Sequence, residues 1–177
     1  MAYIQVEEGV PGIRSLFQFS PETGGPLCDL AQVLLRGPSP ISAAERELIA
    51  AYTSHRNGCM FCMNSHAAAA RCLFGDQKDV VDELLHEQDA SSLSPKMKAL
   101  LFIAGKVQTN GNSVTPNDIE LAKKAGASDT DIHDTVLIAA SFSMFNRYVD
   151  GLASLTPTGE AAYEEMGKRM SVRGYQL

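Results

Sequence analysis

The sequence predicts an all-α fold, and three observations carry that expectation. Apolar residues recur at helical spacing, as in Leu27, Leu30, Ala31, Leu34 and Leu35. Helix start and stop signals punctuate the chain, among them Ser42-Ala43-Ala44-Glu45, Ser94-Pro95, Thr115-Pro116, Gly58, Gly75 and Gly126. No stretch shows a persuasive period-2 alternation of apolar and polar residues. With 177 residues and 45% hydrophobic content, the chain can bury one core as a compact helical bundle.

Residues 1–25 carry Pro11-Gly12, Pro21 and Gly24-Gly25 and read as an irregular arm with a short helix around Ile13–Phe17. Pro26 at an N1 position opens a helix over Leu27–Arg36, stopped by Gly37-Pro38. The Ser42/Glu45 capping box starts a helix at Ala43 that runs to about Arg56. Glu45 is thereby occupied at the helix end, and Glu47 is left free on another side. Asn57-Gly58 turns the chain into a helix from Cys59 to about Phe74, giving an antiparallel hairpin. Gly75 ends that helix and Asp76 caps the next, with Val80, Val81, Leu84 and Leu85 turned inward.

After a Ser91-Ser92 linker, Ser94-Pro95 opens an apolar helix through Val107, closed by Asn110-Gly111. Thr115-Pro116 opens another, closed by Gly126; Asp129 or Asp131 then caps a long helix reaching about Ala153. Pro157 and Gly159 precede a last amphipathic helix, Glu160–Met170, with a loose tail. The expected organisation is an arm (1–25), a helical core (26–155) and a C-terminal helix and tail (156–177). The punctuation Ser42…Gly58…Gly75 is echoed by Ser94…Gly111…Gly126, which suggests two related helical hairpins.

Composition removes several function classes. The net charge is −6 and the pI near 5.2, with no basic block, so nucleic acid and anionic membranes are poor partners. The start, Met-Ala-Tyr-Ile-Gln-Val-Glu-Glu, lacks the pattern of a secretory signal, and the longest apolar run is far too short to cross a bilayer. Four cysteines are too few for a disulfide scaffold. The expectation is a soluble cytoplasmic protein.

The chemistry concentrates in Gly58-Cys59-Met60-Phe61-Cys62-Met63-Asn64-Ser65-His66, together with Glu47. On a helix starting at Cys59, Cys62 lies about 300° and His66 about 700° round, so both sulfurs and the imidazole share an arc of roughly 60°. Spacing of i,i+3 brings the two Cβ atoms to roughly 5–6 Å, within reach of a disulfide after modest adjustment. Across the hairpin, Glu47 and His66 fall at similar height on adjacent helices, so a hydrogen bond, direct or through one water, is geometrically possible.

A thiol is a weak nucleophile at neutral pH unless a base or helix N-terminus makes it a thiolate. Cys59 has the helix end; Cys62 has the first turn and His66 at i+4. Cys62 is therefore expected to attack a peroxide and become a sulfenic acid, which Cys59 condenses to a disulfide. Glu47 fixes the imidazole tautomer. The rival readings are two buried small hydrophobes, a zinc site from Cys59, Cys62, His66 and Glu47, and a dithiol–disulfide carrier without peroxidase activity. Cys28 and Cys72 read as packing residues, and Asn146-Arg147 as a buried polar pair or part of a pocket wall.

Glu47-x11-Cys59-x-x-Cys62-x-x-x-His66, preceded by Ala44-Glu45-Arg46-Glu47-Leu48-Ile49 and followed by Gly75, resembles the core of alkylhydroperoxidase D, in the wider carboxymuconolactone decarboxylase-like superfamily. Leu93-Ser94-Pro95 through Asn146-Arg147 is similar to the subgroup of uncharacterised peroxidase-related proteins. The resemblance covers roughly residues 30–155 and implies an oligomeric all-helical fold and thiol-dependent reduction of hydroperoxides, without cofactor or metal. The implied partners are a hydroperoxide, an unidentified thiol or dithiol reductant and further copies of the chain. By the family pattern Cys62 attacks, Cys59 resolves, and Glu47 and His66 relay protons. Phe61 stands where alkylhydroperoxidase D has a histidine, so no relay is expected through that position. The decarboxylases of the superfamily lack the cysteine pair, which disfavours decarboxylation here. Met144, Phe145, Tyr148, Met166 and Met170 offer an apolar surplus consistent with a homo-oligomer.

Overall fold

The computed structural model describes residues 2–86 and 91–175. Among them the regular structure is helical and no strand occurs. The helices are α1 (Ile13–Phe19), α2 (Pro21–Arg36), α3 (Ala43–Asn57), α4 (Met60–Phe74), α5 (Asp79–Leu85), α6 (Pro95–Asn110), α7 (Pro116–Lys124), α8 (Asp129–Gly151) and α9 (Glu160–Arg173). None is long and apolar enough to cross a membrane.

Helix α3 is the axis of the bundle. Its residues are buried on every side, Leu48, Ile49, Ala50 and Ala51 completely, because α2, α4, α5, α6 and α8 all pack against it. Any polar residue facing inward from α3 is thus removed from water and needs partners. Both capping groups meet reciprocally: the Ser42 hydroxyl accepts from the Glu45 N–H, and the Glu45 carboxylate accepts from the Ser42 N–H. Gly58, left-handed at φ 73°, reverses the chain into α4.

Four local expectations are corrected. Helix α2 begins at Pro21, so Pro26 lies inside it. The fixed φ and missing N–H of proline suit the N1 position that Pro21 takes. Asp76 does not cap α5; it sits in a 3₁₀ turn over Gly75–Gln77, and α5 follows from Lys78 without a side-chain cap. Ser128 is the N-cap of α8, with Asp131 as its capping-box partner, because a short Asp at N3 reaches the Ser128 N–H at 2.8 Å. Cys72 is exposed rather than packed.

The suggested repeat holds for the Ser-capped pair α3 and α6, at 15 and 16 residues. It does not extend to equal hairpins, since α4 has 15 residues and its counterpart α7 has nine.

The C-terminal segment differs most from expectation. Helix α9 continues to Arg173 and crosses α4 very closely: a Cβ on Gly167 would stand 2.6 Å from the Ala68 backbone. Gly174, at φ 65°, then turns the chain inward, and the Tyr175 N–H donates to Gln32 at 2.7 Å. The tail expected to be loose is fastened through Tyr175; Gln176 and Leu177 lie outside the described residues. Of the apolar surplus, Phe145 and Met170 are spent inside this chain's own core, while Met144 is 44% exposed.

Candidate active site

Glu47 is fully buried and carries three polar contacts. Its Oε2 meets His66 Nδ1 at 2.7 Å. Its Oε1 accepts from Arg36 Nη2 at 2.6 Å and from the Tyr175 hydroxyl at 2.6 Å. Burial alone pushes the carboxyl pKa up, but His66, Arg36 and Tyr175 outweigh it and hold the group below its ordinary value. With Glu47 ionised, the His66 proton belongs on Nδ1, and Nε2 is left with the free lone pair. The direct contact across the hairpin meets the expectation from helix heights.

Two aromatic rings pack against the imidazole. Phe142 meets it edge-on with ring centroids 4.5 Å apart, and Tyr175 stacks on it at 5.8 Å and 13°. The Tyr175 oxygen also lies 3.2 Å from Nδ1. Burial and the Glu47 charge raise the Tyr175 pKa well above its ordinary value, so the phenol remains a donor. Arg36 joins the cluster from the last turn of α2, donates to the Met170 carbonyl at 3.0 Å, and lies 5.3 Å over the Tyr175 ring. One buried carboxylate therefore ties α2, α3, α4 and the C-terminal tail together.

Cys59 is the N-cap residue of α4, and Cys62 stands within its first turn. Both are buried, at 0% and 4% exposure, and both are free thiols. Hydrogen bonding to Cys62, then burial, pushes the Cys59 thiol far above its ordinary pKa. Cys59 is thus held as the protonated donor of the pair. Among the described residues no hydrogen bond joins Cys62 to His66, which lies one turn further along the helix.

Phe61 packs beneath the N-terminal arm: a Cβ on Gly12 would meet its ring at 2.0 Å, and its centroid is 6.4 Å from that of Tyr163. The residue that replaces the family's histidine anchors the arm. Asn146 is buried, accepts from Asn57 at 2.8 Å and donates to Ser54 at 3.0 Å, whereas Arg147 is exposed. The pair divides into a structural amide and a surface cation. Among the described residues no group of three or more His, Cys, Asp or Glu is arranged to hold a metal ion.

Sequence reasoning missed Arg36 and Tyr175. Each lies outside the motif; the available signals were the glycines that follow Arg36 and precede Tyr175, marking where the backbone turns back on the bundle.

The fold and this thiol–imidazole–carboxylate site define a helical protein of the alkylhydroperoxidase D-like type. The sequence model of the Carboxymuconolactone decarboxylase family matches residues 21–106, which hold all four motif residues. That match and the structural likenesses below support assignment to the alkylhydroperoxidase D-like part of the carboxymuconolactone decarboxylase superfamily. It is similar to an uncharacterized peroxidase-related protein from Silicibacter sp. TM1040, at 27% identity and a TM-score of 0.78, covering 88% of this chain and 79% of that one. It has the fold of a Ralstonia eutropha JMP134 protein described as an alkylhydroperoxidase AhpD core, at 24% identity and a TM-score of 0.78, covering 90% and 82%. Uncharacterized protein YdfG of Bacillus subtilis is 25% identical over 133 residues, or 75% of this chain and 88% of that protein.

Proposed function

We propose that the protein is a thiol-dependent hydroperoxide reductase of antioxidant defence. The observation that carries this reading is the buried 2.7 Å contact between Glu47 and His66 Nδ1, one helical turn from the Cys59/Cys62 pair. A structural thiol pair has no use for an imidazole oriented by a dehydrated carboxylate. A chain that must place a proton on a leaving oxygen does. The peroxidase-related description of the Silicibacter relative supports the same reading.

In this mechanism the Cys62 thiolate attacks the terminal peroxide oxygen. The O–O bond breaks, the S–O bond forms, and a proton passes to the departing alkoxide, giving Cys62 sulfenic acid and an alcohol. His66 Nε2 takes the proton of the Cys62 thiol and passes it to the departing alkoxide, while the Glu47 carboxylate offsets the positive charge carried in between. The protonated Cys59 then displaces hydroxide from the sulfenic sulfur, with a proton making it water, and leaves a Cys59–Cys62 disulfide. An external thiol or dithiol reduces that disulfide and is itself oxidised. Consumption of an organic hydroperoxide in the presence of a panel of thiol reductants tests the reading. Turnover that stops in Cys62→Ser is the expected result, and disulfide cycling without peroxide consumption in any combination would mark a dithiol carrier instead.

A further inference from the structure

A cleft of about 930 Å³ opens beside the site between α1, α2, α4 and α9. His66 and Tyr175 form part of its wall. Ile13, Phe17, Met166 and Met170 give it an apolar lining, while Arg14, Arg169 and Arg173 add three guanidinium groups. This size lies within the range of pockets that enclose a small ligand.

The arginines are the unusual feature. The chain carries 21 acidic against 15 basic residues, yet among the described residues none of these three arginines has an ion pair. They crowd one another instead. Burial, then the charges of Arg14 and Arg173, lower the affinity of Arg169 for its proton. Arg169 and Arg173 are spaced i,i+4 on α9, where like charges destabilise a helix. Three cations without an ion pair among the described residues, set against an apolar wall, match a ligand with an anionic head and a hydrocarbon body. A carboxylate suits them because guanidinium groups bind it in a planar, two-pronged geometry.

We infer that the cleft binds an amphiphilic carboxylate. Resting on the peroxidase reading above, the substrate is an organic hydroperoxide of that class, an oxidised fatty acid held by its carboxylate. The apolar wall then holds the chain that carries the –OOH group beside His66.

Binding and turnover test the two parts separately. Calorimetric titration of the intact protein with dodecanoate, methyl dodecanoate and inorganic phosphate reads the cleft without any redox step. Dodecanoate is expected to bind about tenfold or more tightly than the ester, the factor of a charge-assisted hydrogen bond. The Arg169→Gln/Arg173→Gln double variant is expected to lose that preference. Equal binding of acid and ester, phosphate binding as tight as dodecanoate, or a preference that survives in the double variant would overturn the site. Linoleic acid hydroperoxide and its methyl ester are then compared as substrates, with a kcat/KM ratio of about ten or more expected to fall towards one in the double variant. A ratio of one in the wild type overturns the substrate assignment. Dodecanoate binding without consumption of any hydroperoxide would retain the anion site and reject the peroxidase reading.

Discussion

Tyr175 donates its hydroxyl to Glu47 at 2.6 Å across 128 residues of sequence, so the end of the described chain closes over a fully buried residue of its central helix. The carboxylate proposed to orient His66 therefore also ties the fold together. Tyr175→Phe keeps the stacking on His66 and removes the donor. It is expected to cost about 1.5–3 kcal/mol of stability, the range for a hydrogen bond to a charged group. Chemical denaturation compares it with Tyr175→Ala, which also loses the ring contacts and is expected to cost more.

Glu47→Gln removes the charge that faces Arg36 and His66. The sequence alone describes Glu47 as a partner of His66; three contacts make it a structural hub as well. The variant is expected to lose about 3–5 kcal/mol, as for other broken buried pairs, and to slow peroxide reduction. Glu45→Gln, at the exposed capping box, is expected to leave both nearly unchanged. Equal losses in the two variants would show that the carboxylate roles are misassigned.

The pH dependence of stability follows from the same group. The Glu47 pKa is lower in the folded protein than its ordinary value of 4.5, so the unfolded chain binds the proton more tightly. Its contribution is complete above about pH 4.5 and is lost as the pH falls through the folded value. The stability difference between wild type and Glu47→Gln should be constant near neutrality and shrink below pH 4.5. Urea midpoints of both proteins from pH 7 down to pH 3 measure it; a difference that grows on acidification would reverse the sign.

Gly167→Val tests the docking of α9. The first added carbon already stands 2.6 Å from the Ala68 backbone, which cannot rotate away. A loss of about 1–3 kcal/mol is expected from overpacking, with lower peroxide turnover because Tyr175 is carried off with α9. A variant of wild-type stability would show that α9 can dock at another register.

Self-association is expected on a smaller surface than composition suggests. Phe145 and Met170 are already buried in this chain, leaving Met144, Val33 and Phe102 among the exposed large apolar residues. Sedimentation at micromolar concentration should show an oligomer, and a monomer would contradict it.

What was legible in the sequence was local. The Ser42/Glu45 box, the Gly58 turn and the Glu47–His66 contact all follow from helix periodicity and cap chemistry within 25 residues. The expected cap at Asp129 or Asp131 gives way to Ser128, because Asp131 serves as the N3 partner of a capping box rather than as the cap itself. Arg36 and Tyr175 were not legible, since neither has a motif and each reaches Glu47 only through tertiary packing.

The order of the two cysteines is the most direct test of the account. Thioredoxin-like behaviour would make the N-terminal Cys59 the nucleophile. Here Cys59 is fully buried, with its thiol pKa raised by hydrogen bonding to Cys62 and by burial, while His66 follows Cys62 by one turn. Cys59→Ser treated with one equivalent of hydroperoxide should accumulate a sulfenic acid on Cys62 that a sulfenate-specific probe labels. Cys62→Ser should neither label at Cys59 nor turn over. A label on Cys59 in the Cys62→Ser protein would contradict the assignment and reverse the two roles.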